Sequence, residues 1–144
     1  MTGVRKDPDF VTATKIGYPC QPMDDEIYIV DDDEAVRDSL RALFEAHGFA
    51  VHDFASGAEF LQHHASHARG CVLLDVNLPG MDGFNVLRAL AESGCRLPVI
   101  LMTARTDSET RAHAMKAGAA GFVQKPFVSS HLMSLVRDSL HGQA

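Results

Sequence analysis

Three acidic and basic groups stand where short apolar runs end. Asp31, Asp32 and Asp33 follow Ile27–Val30, Asp75 follows Val72–Leu74, and Lys125 follows Ala120–Gln124. A short apolar run bounded by turn residues reads as a buried strand. Each group is therefore expected where a strand leaves a core, the edge at which open α/β sheets bind ligands. A carboxylate attacks a phosphorylated donor poorly because both are anions, and a divalent cation removes that repulsion. Mg²⁺ takes octahedral oxygen coordination at about 2.0–2.1 Å and usually keeps several waters. Asp75 is read as a phosphoryl acceptor. Asp32 and Asp75 are expected to ligate Mg²⁺ directly, Asp31 through water, and the carbonyl of Asn77 is expected to add a neutral oxygen. Asp33 is expected to begin a helix and point away. Alone, the acidic run would be a solvated helix-capping patch; beside Asp75 at a strand edge it becomes a metal site.

Phosphoryl transfer needs positioning and charge neutralisation more than covalent chemistry from the protein. Lys125 can meet a phosphoryl oxygen as a point charge. Thr103 ends another strand and can donate a hydroxyl hydrogen bond, and Ala104 beside it leaves room. A surface lysine and a strand-end threonine are the more common roles taken singly, but both of these end strands on the edge that holds Asp75. Other signals are weaker. His63, His64 and His67 lack a cysteine or carboxylate partner at metal-site spacing and read as a polar helix end. An EF-hand loop starting at Asp75 fails, because Pro79 replaces a ligand and Val86 stands where the closing glutamate belongs. Cys71 and Cys95 read as small hydrophobes.

The elements that must hold these residues alternate regularly. Strands are expected at Ile27–Val30, Phe49–Phe54, Gly70–Asp75, Leu97–Thr103 and Ala120–Gln124. Helices are expected between and after them. The first carries Val36, Leu40, Leu43, Phe44 and His47 at helical spacing and is closed by Gly48; the second runs from Ser56 to about His64. The third opens at Asp82, with Phe84, Leu87, Leu90 and Ala91 on one face; the fourth runs from Asp107 to Gly118. The fifth spans Ser129–Leu140, with Leu132, Leu135, Val136 and Leu140 inward. Five strands alternating with five helices imply a parallel sheet covered on both faces, and right-handed crossovers limit its topology; the order chosen is 2-1-3-4-5, a flavodoxin-like, doubly wound (βα)5 α/β sandwich. That order places the ends of strands one and three side by side, so Asp31 and Asp32 meet Asp75.

The chain has 144 residues, enough for one domain, with 46% hydrophobic and 22% charged residues. Residues 1–25, with three prolines and little periodicity, read as a poorly ordered arm; residues 26–144 read as the folded domain. With 13 basic and 19 acidic residues the net charge is −6, which offers no electrostatic footprint for nucleic acid or for an anionic membrane. No apolar run approaches a membrane span, and three cysteines without a Cys-x-x-Cys pair make no disulfide framework. A cytoplasmic location is expected. No internal repeat or low-complexity tract is present.

Val30-Asp31-Asp32-Asp33, Leu74-Asp75-Val76-Asn77-Leu78-Pro79-Gly80-Met81-Asp82-Gly83, Met102-Thr103-Ala104 and Lys125-Pro126-Phe127, in this order and spacing, resemble a response-regulator receiver domain of two-component signalling. The likeness covers about residues 26 to 141. It implies Mg²⁺-dependent transfer of a phosphoryl group to Asp75 from a histidine of a sensor kinase or phosphotransfer protein. It implies Asp31 and Asp32 as the acidic pair, Thr103 as the switch hydroxyl and Lys125 as the phosphoryl-pairing lysine, with a cis bond before Pro126. The family's aromatic switch, often tyrosine, falls on Phe122, which carries no hydroxyl. Phosphorylation is then expected to shift the surface of the fourth helix, fifth strand and fifth helix, a possible homodimer face. Asn77 and Arg105 are expected to flank the hydrolytic water and tune phosphoryl lifetime. The segments around Asp75 and Lys125 look most like receivers that precede a DNA-binding domain. The chain is thus expected to be a stand-alone receiver or part of a longer regulator.

Two other classes compete. A Mg²⁺-dependent phosphohydrolase with Asp75 as a turnover nucleophile would commonly place an acid–base carboxylate two residues on, where this chain has Asn77. A nucleotide binder on the same fold would need a Gly/Ser/Thr-rich loop after the first strand. Acidic residues occupy that loop here.

Overall fold

A computed structural model describes residues 26–63, 69–104 and 108–141. The expectations for the arm, His64, His67, Arg105 and Asp107 lie outside the described residues. The elements are β1 Glu26–Val30, α1 Glu34–Ala46, β2 Ala50–Phe54, α2 Gly57–His63, β3 Gly70–Asp75, α3 Gly83–Glu92, β4 Val99–Thr103, α4 Ser108–Lys116, β5 Gly121–Gln124 and α5 Ser129–His141. All strand pairings are parallel, in the order β2-β1-β3-β4-β5. This is the flavodoxin-like fold expected from the alternation.

The sheet separates two apolar layers. Tyr28, Val30, Val72, Leu74, Val99 and Leu101 face α2, α3 and α4, where Phe60, Val86, Leu87, Leu90 and Ala114 pack on them. The alternate strand residues, Ile27, Ile29, Cys71, Leu73, Ile100, Met102 and Val123, face α1 and α5 and meet Leu40, Phe44, Leu132, Met133 and Val136. Covering both faces is why β3, with all six residues buried, reads as a continuous apolar run.

Local signals set the helix ends. Asp33 caps α1 by accepting from the Ala35 N–H at 3.0 Å, and Asp82 caps α3 by accepting from the Asn85 N–H at 2.9 Å. Two side chains tie the start of α2: the Glu59 N–H donates to Ser56 Oγ, and the Ala55 N–H donates to Glu59 Oε1. At the end of α1, Gly48 at φ +90° lets its own N–H reach the Glu45 carbonyl and the Phe49 N–H reach the Phe44 carbonyl. That second bond uses Phe49 in the helix cap, so β2 starts one residue later than the apolar pattern suggests. Similarly, Pro98 has no N–H to give, and β4 begins at Val99 rather than Leu97.

Two helix faces differ from their sequence reading. Ala91 is exposed and Val86 is buried on α3. His47 is exposed, with Nδ1 2.9 Å from the Leu43 carbonyl. On α5, Leu132, Leu135, Val136 and Leu140 pack inward as expected, and Met133 is buried with them. Gly83 explains the α3 rotation. A Cβ built on it would lie 2.5 Å from the Asp75 carbonyl oxygen and 2.8 Å from Val76 Cα, so the helix starts in contact with the end of β3. Gly83→Ala is expected to destabilise the fold by about 1–3 kcal/mol through overpacking. Urea unfolding would show this, and an unchanged midpoint would rule out the close seat.

Candidate functional site

The β1–β3 register pairs Val30 with Leu74, so Asp31 and Asp75, each one residue further, emerge next to one another. The Asp31 N–H continues the sheet by donating to the Phe54 carbonyl at 3.1 Å. The chain then turns: the Asp33 N–H donates to Asp31 Oδ1 at 2.9 Å, just as the Asn77 N–H donates to Asp75 Oδ1 at 3.0 Å. These two equivalent turns aim both carboxylates along the carboxyl edge of the sheet. Behind Asp75, the Val76 N–H donates to the Met102 carbonyl and the Gly83 N–H to the Val76 carbonyl, tying the strand end to β4 and α3.

Lys125 reaches the same place from β5. Its backbone N–H donates to the Thr103 carbonyl at 2.7 Å, one step beyond the Thr103–Gln124 pair, and its peptide bond to Pro126 is cis. Lys125 Nζ donates to Asp31 Oδ2 at 2.7 Å and to Asp75 Oδ2 at 3.2 Å. Asp31 is wholly buried, Asp75 is 5% exposed and Thr103, ending β4, is 1% exposed. Asp32, Asn77 and Ala104, each just past the end of its strand, are exposed.

One carboxylate oxygen from each of Asp31, Asp32 and Asp75 lies within 4.8 Å of the other two. Among the described residues, three carboxylates thus meet one ammonium. An excess of negative charge in a mostly buried place fits a hard divalent cation with oxygen ligands. Burial pushes the Asp75 carboxyl above its usual range; the Asp31 charge adds to this, and the Asn77 N–H and Lys125 only partly oppose it. For Lys125 burial pulls the ammonium down, but hydrogen bonds and charge from Asp31, then Asp75, outweigh it and the net shift is upward.

Phe122 lies on β5, paired in register with Leu101 of β4. It is half-buried against the layer under α2, α3 and α4, with the Arg111 guanidinium carbon 5.9 Å from its ring centroid. His113 of α4 stacks on Phe84 of α3 with ring centroids 4.1 Å apart. His63 sits at the end of α2, tilted against Phe54. The sequence reading missed Arg37, whose Nη1 donates to the Asp31 carbonyl at 2.8 Å. No local signal marks it, because the helix dipole is felt within the first turn and Arg37 stands in the second.

A family model described as the response regulator receiver domain matches residues 27–137. The chain is 41% identical over 118 residues to the transcriptional regulatory protein FixJ of Azorhizobium caulinodans, covering 82% of this chain and 56% of that protein. It is 39% identical over 130 residues to the response regulator protein TodT of Pseudomonas putida, covering 85% and 57%. It therefore spans a little over half the length of these relatives. Among solved structures, the crystal structure of FixJ-N superposes with a TM-score of 0.75 at 32% identity, covering 81% of this chain and 94% of that one. The response regulator StyR superposes at 0.76 with 35% identity, covering 81% and 59%. With the family's fold and an acidic cluster at its carboxyl edge, the chain belongs to the response-regulator receiver domains of two-component signal transduction.

Proposed function

We propose that residues 26–144 act as a receiver that accepts one phosphoryl group on Asp75 from a phosphohistidine of a sensor kinase or phosphotransfer protein. The observation that carries this is the convergence of the Asp31, Asp32 and Asp75 carboxylates, with Lys125 bonded to two of them. Mg²⁺, held by Asp31, Asp32, Asp75 and the carbonyl of Asn77, would neutralise charge on the incoming group.

An Asp75 oxygen attacks phosphorus; the phosphorus–nitrogen bond of the donor breaks, and its electron pair stays on the histidine ring. Lys125 is already within reach of Asp75 Oδ2 and offers its ammonium to a phosphoryl oxygen. Thr103, ending the neighbouring strand, offers a hydroxyl hydrogen bond to another. The exposed Ala104 leaves the approach open. Hydrolysis of the acyl phosphate resets the carboxylate, with Asn77 at the rim tuning how fast. The readout we assign to the α4, β5 and α5 surface, where Phe122 shifts as Thr103 moves. Large exposed apolar side chains there, Met115 at 53% and Val128 at 66%, suit a protein partner or a second copy. The similarity to transcriptional regulators supports a role as the input domain of such a regulator. Among the described residues, no helix is long and apolar enough to cross a membrane.

Intact-mass measurement after incubation with acetyl phosphate tests the proposal. One phosphoryl adduct is expected with Mg²⁺, and none with EDTA or in Asp75→Ala. An adduct that survives in Asp75→Ala would overturn the assignment of the acceptor.

A further inference from the structure

We infer that Arg37 is a positioning residue for the divalent-cation site, holding the Asp31–Asp32 peptide in the orientation that lets both carboxylates converge with Asp75. The inference rests on the metal-site reading above and adds a residue that touches no carboxylate among the described residues.

Asp31 is wholly buried, so its backbone carbonyl must find a donor within the protein. Arg37 Nη1 is that donor, at 2.8 Å, from the second turn of α1. The peptide unit is planar and rigid, so a clamp on the Asp31 carbonyl oxygen also orients the Asp32 N–H and Cα. This matters most for Asp32. Asp31 is held by the Asp33 N–H and by Lys125, and Asp75 by the Asn77 N–H and Lys125. Asp32 is exposed and has no side-chain hydrogen bond among the described residues, so its place depends on the peptide that carries it. Around it, Asp33 caps α1 and the Arg37 N–H donates to the Asp33 carbonyl at 3.0 Å. The same arginine therefore grips the turn through backbone and side chain, on both sides of Asp32.

A competing effect has the opposite sign. A guanidinium near a cation site repels the cation, and its removal would tighten binding. The Arg37 charge is half-exposed and screened by solvent. Residues that orient metal ligands from behind typically change metal affinity by about 10–100-fold. Positioning is therefore expected to win.

The test is calorimetric titration of the chain with Mg²⁺, and with Mn²⁺ as a second probe, well below the unfolding midpoint of each variant. Arg37→Met is expected to weaken both ions about tenfold, the low end for such residues because it acts through the backbone. Arg37→Lys, which keeps a donor able to make one hydrogen bond, is expected to recover most of the loss. Arg41→Met removes a like charge from the same helix, one that pairs with Asp53 and Glu45, and is expected to leave affinity unchanged. A purely structural role would lower the midpoint of Arg37→Met without moving its affinity, and that result overturns the inference. So does unchanged or tighter binding, an equal loss in Arg41→Met, or no recovery with lysine. A wild-type chain that binds neither ion would remove the metal-site reading itself, and the inference with it.

Discussion

Asp75→Asn is expected to abolish phosphoryl uptake and, in metal-free buffer near neutral pH, to stabilise the fold by about 0.5–2 kcal/mol. The first effect follows from losing the attacking oxygen anion. The second follows from the balance of forces on the carboxylate. Burial and the Asp31 charge disfavour its ionised form more than the Asn77 N–H and Lys125 favour it. An amide keeps the Asn77 hydrogen bond through its carbonyl oxygen and gives up only the longer of the two Lys125 contacts, 3.2 Å against 2.7 Å. The direction with pH is fixed by the upward shift. Between the unfolded value, 3.8, and the higher folded value, the native state binds more protons than the unfolded state, so stability falls as pH rises through that window. Below it both states are protonated and no penalty exists; above it the full penalty applies. The advantage of Asp75→Asn should thus be greatest near neutral pH and vanish as pH approaches about 4. Urea unfolding of both proteins in EDTA at several pH values measures it. An Asp75→Asn protein less stable than wild type at neutral pH would refute the account.

Lys125→Met is expected to destabilise the metal-free protein by about 3 kcal/mol, at the low end of the range for breaking a buried ion pair. Asp31 is fully buried, and among the described residues Lys125 is the cation bonded to its carboxylate. The low end applies because the Lys125 side chain is 22% exposed and Asp75 can take up a proton in response. Methionine fills nearly the same volume, so the loss reports charge rather than a cavity. Mg²⁺ should recover part of the stability, since an ion that binds only the folded state stabilises it by mass action. Its affinity should rise where the competing ammonium is gone. Phosphoryl uptake should nevertheless fall, because Lys125 is the group placed to meet the incoming phosphoryl charge. Unfolding in EDTA and in Mg²⁺ separates the two effects. Equal destabilisation in both buffers would show that the carboxylates do not share a metal with this lysine.

Much of this protein could be read from its sequence because many of its determinants are local. The caps at Asp33, Ser56 and Asp82 are bonds to backbone groups two or three residues away. The apolar runs of β1, β3 and β4 are continuous because both sheet faces are covered, and that pattern needs no knowledge of what covers them. Right-handed crossovers limited the strand order, and the doubly wound order read among those left put the acidic groups on one edge, as the structure has them. What the tertiary structure alone decided lies in contacts between distant or differently oriented pieces. Lys125 lies 94 residues from Asp31 and bonds it more closely than it bonds Asp75, a choice made by the reach of β5 across the sheet. The face that α3 buries, with Val86 inside and Ala91 outside, is set by the seating of Gly83 on the end of β3 rather than by helical period alone. Arg37 finds the Asp31 carbonyl only because α1 folds back beside the end of β1. Periodicity and capping act through neighbouring residues and leave a mark in the sequence. The aim of a long side chain across a packed interface depends on the relative placement of whole elements, which no local pattern records.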